Sequence, residues 1–132
     1  MTSFKSVPTF VAYYNNLHLS SVVNALRYRF QDKAIVYAIR CRPSGMMYIG
    51  HTFNLTLRFH NHLITGVKSN PYLQTDIAKR GLSKFTVYIL EVTVFPKHLS
   101  YNQRTVFMRT LEQQYIDRYP REQLYNIINA SA

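Results

Sequence analysis

Two runs of β-forming residues, AIVYAIRC at 34–41 and MMYIGHT at 46–52, are separated only by Arg-Pro-Ser-Gly. Val, Ile and Tyr suit a pleated, half-buried surface, and Pro with Gly supplies a tight connection, so the pair predicts a β-hairpin. Strand alternation then puts Ile35, Tyr37, Ile39 and Cys41 on one face and Val36, Ala38 and Arg40 on the other. Tyr37 and Tyr48 come near each other on paired strands, in a register that the sequence leaves open.

The hairpin runs directly into a helix. Asn54 suits the N-cap of a segment over 55–65, and Gly66 suits a left-handed terminator. At about 100° per residue, Leu55, Phe59 and Leu63 form its buried stripe, and Arg58 and His62 fall on the stripe's edge, at the rim of the core. His60 points away from them, and an i, i+2 pair on a helix cannot share a metal, so His60 and His62 do not make a zinc site. Ser69 and Pro71 suit the start of a second short helix through Lys79, which Gly81 stops.

KFTVYILEVTV at 84–94 predicts a third strand, with Phe85, Val87, Ile89 and Glu91 alternating against Thr86, Tyr88, Leu90 and Val92. Ser100 with Gln103 has the spacing of a capping box, and Pro120 closes the long helix that follows. Its apolar stripe is Phe107, Met108, Leu111, Tyr115, Ile116 and Tyr119, with Glu112 beside it. The tail QLYNIINASA is apolar enough to return to the core. The order β, β, α, α, β, α predicts an α/β (α+β) domain with a central antiparallel sheet of about three strands flanked by helices. Before it, LSSVVNALRYRF carries Leu19, Val22, Val23, Leu26 and Phe30 at helical spacing, an N-terminal helical extension. The chain divides into a basic extension over 1–33 and a domain over 34–129.

Charge narrows the partner. Sixteen Lys and Arg against six Asp and Glu leave +10 on 132 residues, which points to a polyanion, and the tyrosine-rich composition favours nucleic acid. Arg40, Arg42, Lys68 and Arg80 are the candidate phosphate contacts. No apolar run approaches the ~20 residues that span a bilayer, so a membrane is not the expected partner. Cys41 is the single cysteine, which excludes an internal disulfide and a thiolate metal cluster and suits a small core residue. The first 31 residues lack Asp and Glu. That composition is shared with organelle transit peptides, so a mitochondrion is favoured and a phage or bacterial cytoplasm is the alternative.

At this point five motifs in order resemble the GIY-YIG nucleases. IVY at 35–37 stands where the family writes Gly-Ile-Tyr, and YIG at 48–50 matches its second signature, with Tyr37 and Tyr48 eleven positions apart. LRFHNH supplies the family's helix arginine as Arg58, followed by His62; LEQQYI supplies its glutamate as Glu112; LYNI supplies its closing asparagine as Asn126. Two departures stand out. Ile35 replaces the first glycine, and the loop TGVKSN carries Lys68 or Asn70 where some relatives have a further histidine.

The resemblance implies a metal-dependent endonuclease, similar to the catalytic modules of phage and organellar intron homing enzymes, acting on DNA first and on RNA as the alternative. It implies Tyr37, Tyr48, Arg58, His62 and Glu112 as catalytic residues, with a tyrosine as general base, Glu112 as the ligand of Mg²⁺ or Mn²⁺, and Gly50 and Asn126 in support. The chemistry suits these residue types. A lone carboxylate can hold one hard divalent cation whose other ligands are water and phosphate oxygens. A guanidinium offers phosphate a planar fork. A phenol titrating near pH ~10 serves as a base only if its pKa is lowered. Homing enzymes usually read their target through a further module, and none is recognisable after this domain, which leaves a specificity partner open and is the ground for the alternative function. The alternative function is a catalytically silent domain kept as an RNA- or DNA-binding component of a larger assembly such as an organelle ribosome.

Overall fold

The computed structural model describes Pro8 and residues 10–128. The earliest part of the transit-like segment and the final residues of the tail therefore lie outside the described residues. The elements are β1 (Ala12–Tyr14), α1 (Ser20–Arg29), β2 (Ala34–Cys41), β3 (Met47–Thr52), α2 (Leu55–His60), α3 (Pro71–Arg80), β4 (Phe85–Thr93), α4 (Tyr101–Ile116) and α5 (Tyr125–Ile128). One antiparallel sheet runs in the order β1-β4-β2-β3.

The expected hairpin is β2–β3. Gly45 takes φ 76°, a left-handed value that glycine adopts without a Cβ penalty, and its N–H donates to the Cys41 carbonyl at 2.7 Å, closing the turn. Its register sets Tyr37 opposite Gly50 and Ile39 opposite Tyr48. The sheet has a fourth strand. β1 comes from the segment before the hairpin and pairs with β4, Tyr13 opposite Tyr88. The helix expected at 19–30 forms as α1 and buries Val23 and Leu26.

Two apolar layers sandwich the sheet. On one face Ile35, Tyr37, Ile39, Phe85, Val87 and Ile89 pack against Leu26, Phe59, Leu73 and Tyr125 from α1, α2, α3 and α5. On the other, Val36, Ala38, Ile49, Tyr88 and Leu90 pack against Met108, Tyr115 and Ile116 of α4. Fully burying one such side chain stabilises the fold by about 1.5–3 kcal/mol.

The alternation expected along β4 holds only up to Ile89. Tyr37 pairs with Ile89 and Val36 with Glu91, so Leu90 is the additional residue of a β-bulge. Beyond it the faces exchange. Glu91 reaches the α4 layer, accepting from the Tyr115 hydroxyl at 2.7 Å, while Val92 turns to the opposite core. Burial and the Glu91 carboxylate push the Tyr115 phenol up to about 12.

Helix details depart from expectation where side chains have better partners. Asn70, not Ser69, caps α3: its Oδ1 accepts from Tyr72 N at 2.9 Å and from Leu73 N at 3.0 Å. The long helix has its capping box, Ser100 and Gln103 bonding each other's backbone. Phe107, expected in its buried stripe, is 49% exposed, because only the side of α4 that carries Met108, Tyr115 and Ile116 faces the sheet.

Candidate active site

The segment after the hairpin forms α2 and then a single π-helical turn over Asn61–Thr65 that ends at Gly66, whose φ is 72°. Asn54 caps the start by accepting from Leu57 N at 3.1 Å. Leu55, Phe59 and Leu63 are buried as expected. Arg58 stays at the rim, half-buried. His62 does not: it is fully buried, because the wide turn carries it inward and both ring nitrogens find partners there.

Those partners form a chain. Tyr37 Oη and His62 Nε2 are 2.7 Å apart, and His62 Nδ1 and Ser69 Oγ are 2.7 Å apart. Gln74 Nε2 also donates to Ser69 Oγ, at 2.8 Å. Burial, helped by the positive charge of Arg58, lowers the His62 pKa to about 3, so the ring is neutral at ordinary pH and presents one N–H and one lone pair. Burial, with Tyr48 and Glu112 adding to it, raises the Tyr37 pKa well above the ordinary phenol range, and Arg58 opposes the shift. Tyr37 thus holds its proton at rest. That direction is opposite to the one a resting tyrosinate base needs.

Packing fixes Tyr37. Its ring stands edge-on to Phe59, with centroids 4.9 Å apart, and lies 6.3 Å from Tyr48. Tyr48 is only half-buried, and its hydroxyl accepts from Arg58 Nη2 at 3.3 Å. Arg58 Nη1 donates to the Lys68 carbonyl at 2.6 Å. Lys68 adopts φ 58°, uncommon for a residue with a Cβ, and offers its carbonyl to Arg58 while its side chain stays exposed.

Glu112 approaches the edge strand β3 from the α4 layer. Its Oε1 is 2.7 Å from Nδ1 of His51, the residue directly after Tyr-Ile-Gly. Tyr37, Tyr48, Arg58 and His62 thus form one contact set on one face of the sheet, whereas Glu112 comes with α4 from the opposite face, bonds His51, and contacts none of the four among the described residues. Asn126 secures β3 from outside. Its Oδ1 accepts from Ile49 N at 3.0 Å and its Nδ2 donates to Ile49 O at 2.7 Å, as a neighbouring strand would.

The three arginines among the candidate phosphate contacts have different surroundings. Arg42 donates to Asn15 Oδ1, the Phe85 carbonyl, Thr86 Oγ1 and the Ser83 carbonyl, which ties the end of β2 to the start of β4. Arg80 Nε is 3.5 Å from Asp76 Oδ1. Arg40 lies on the face of β2 opposite Tyr37, with its Nε buried and without a hydrogen bond.

Two residues of the site escaped sequence reasoning. Ser69 was read as a helix start, and only its meeting with His62 reveals its part. His51 had a signal, since alternation sets it on the other face from Tyr48 and Gly50; that α4 covers this face is a tertiary fact.

Among the described residues no group of three or more His, Cys, Asp or Glu side chains gathers to hold a metal. The donor set still suits a hard cation. Glu112 is part-exposed and its Oε2 takes no hydrogen bond among the described residues, and Mg²⁺ commonly sits on one or two carboxylates with the remaining ligands from water and substrate.

No curated protein and no solved structure matches the chain significantly. A family model of the GIY-YIG catalytic domain, a nuclease family generally dependent on divalent metal, matches residues 33–126. Those residues contain the hairpin, the Arg58 helix, Glu112 and Asn126, and the chain belongs to the GIY-YIG family.

Proposed function

We propose that the chain is a divalent-metal-dependent endonuclease that hydrolyses phosphodiester bonds in DNA, with RNA as the alternative substrate. The observation that carries this reading is Arg58, a half-buried guanidinium held by the Lys68 carbonyl and the Tyr48 hydroxyl beside the Tyr37–His62–Ser69 chain. Positioned in this way, its remaining N–H donors meet a phosphate with little reorganisation as negative charge grows on it.

Tyr48 is the phenol with access to solvent, and it orients the attacking water beside Arg58. Tyr37 lies behind it. Because Tyr37 is protonated at rest, its hydroxyl donates to His62 Nε2, in the tautomer that leaves this nitrogen free, and Tyr37 holds the site in place rather than taking a proton itself. Glu112 is the residue that would hold Mg²⁺ or Mn²⁺, which when bound supplies positive charge to phosphate and leaving-group oxygens. The homing-enzyme comparison stays part of this proposal on its motifs alone, and a specificity partner would then choose the target.

A second reading, a silent nucleic-acid-binding component of a larger assembly, draws on one observation: His51 already occupies Glu112 Oε1. Incubation with supercoiled plasmid in Mg²⁺, Mn²⁺ or EDTA separates the two. Nicking with metal and none with EDTA is expected. Intact plasmid under both metals, with binding retained, would give the second reading precedence.

A further inference from the structure

Beside His51 opens a cavity of about 350 Å³ lined by Phe53, Asn54, Tyr101, Thr105 and Arg109. Three of these residues, Tyr101, Thr105 and Arg109, recur at i, i+4 and i+8 along α4, and Glu112 continues the same face within an arc of about 80°. Arg109 is about one turn from Glu112, and Tyr101 is about 16 Å from it along the helix axis. The wall therefore leads from the candidate metal ligand to an aromatic platform.

Each part of that wall has unused binding capacity. Tyr101 is 70% exposed, and its ring meets Phe53 at a tilt of 48° with centroids 5.5 Å apart, so it is braced by Phe53 while most of its surface meets solvent. Thr105 Oγ1 is buried without a hydrogen-bond partner. The Arg109 side chain is exposed and makes no hydrogen bond or ion pair among the described residues. A π-face, an unpaired hydroxyl and a free cation in one cavity match the base, polar edge and phosphate of a nucleotide.

We propose that this cavity is a nucleotide subsite: a base near the cleaved phosphate stacks on Tyr101, and Arg109 takes the adjoining phosphate. The proposal rests on the nuclease reading, since it places the substrate strand along α4 toward Glu112. Stacking on an aromatic ring is tolerant of base identity, so the subsite holds the strand in place without selecting its sequence.

Binding in EDTA tests it without requiring cleavage. Affinity is measured for a single-stranded DNA oligonucleotide and for an abasic strand of the same length, using the unmodified chain and the variants Tyr101→Ala, Tyr101→Phe and Arg109→Ala. The unmodified chain should prefer the base-bearing strand. Tyr101→Ala should weaken binding to that strand by about five-fold to a hundredfold, with little change on the abasic one, and Tyr101→Phe should retain most of the affinity. Arg109→Ala should reduce the salt slope of binding by about one. Equal affinity of Tyr101→Ala and unmodified chain for the base-bearing strand, or equal losses on both strands, would overturn the subsite even if plasmid is cleaved. Base-dependent binding through Tyr101 by a chain that leaves plasmid intact supports the subsite and sinks only the nuclease reading.

Discussion

The Tyr37 hydroxyl occupies the space that a side chain on Gly50 would need: a Cβ built on Gly50 lies 2.6 Å from Tyr37 Oη and 2.8 Å from its ring carbon Cζ. The two residues face each other across β2 and β3, and the glycine lets a phenol lie flat over the neighbouring strand. Tyr37 has no room to retreat, being fully buried against Phe59 and bonded to His62. Gly50→Ala should therefore destabilise the fold by about 1–3 kcal/mol and separate Tyr37 from His62. Chemical denaturation measures the first effect. An unchanged unfolding midpoint would show that the phenol moves freely after all.

Glu112→Ala and Arg58→Ala should each reduce nicking by about 10²–10³-fold, the usual loss when one preorganised electrostatic contact to the transition state is removed. Their effects on binding should diverge. Removing a carboxylate that faces a polyanion leaves metal-free affinity equal or higher, whereas removing Arg58 lowers it modestly by one phosphate contact. Parallel nicking and binding assays check both, and equal loss of binding in the two variants would contradict the assigned roles.

His62 sets an acid limit on stability. Its folded pKa is about 3, against about 6.5 when unfolded, so between those values only the unfolded chain takes the additional proton. The stabilising contribution is complete above pH 6.5 and is lost as pH falls through the window, by up to ~1.4 kcal/mol per unit. His62→Gln removes the titration. Between pH 7 and pH 5, urea midpoints should fall more for the unmodified chain than for the variant; parallel curves would refute the account.

Arg42→Ala should behave as a stability variant. Its guanidinium serves two backbone carbonyls and two side chains around the β2 and β4 ends, and losing such bonds costs on the order of 1–3 kcal/mol. Affinity for nucleic acid per folded molecule should stay within about twofold. A drop in affinity without a drop in melting temperature would instead return Arg42 to the phosphate contacts.

The charge of +10 implies that binding is dominated by phosphate contacts. Affinity should fall linearly with salt on a double-logarithmic plot, with slight sequence preference. Titrations at several salt concentrations measure the slope, and a flat response would refute the electrostatic account.

What the sequence determined by itself was local. The hairpin, its Gly45 turn, the Asn54 and Ser100 caps and the Gly66 stop all follow from forces between residues a few positions apart, which act alike in any fold. Alternation was equally legible until Leu90, where the bulge exchanged the faces of Glu91 and Val92. A bulge answers to the partner strand, so no periodicity announces it. Tyr37, Tyr48, Arg58, Glu112 and Asn126 were found as a pattern of types and spacings, and the pattern carried no contacts. Only the tertiary structure decided that β1 pairs with β4, that His62 goes inside to join Tyr37 to Ser69, and that α4 brings Glu112 to His51. Each of those outcomes depends on which layer covers which face of the sheet. That choice is made by burying apolar surface between distant segments, and the segments themselves do not encode it separately.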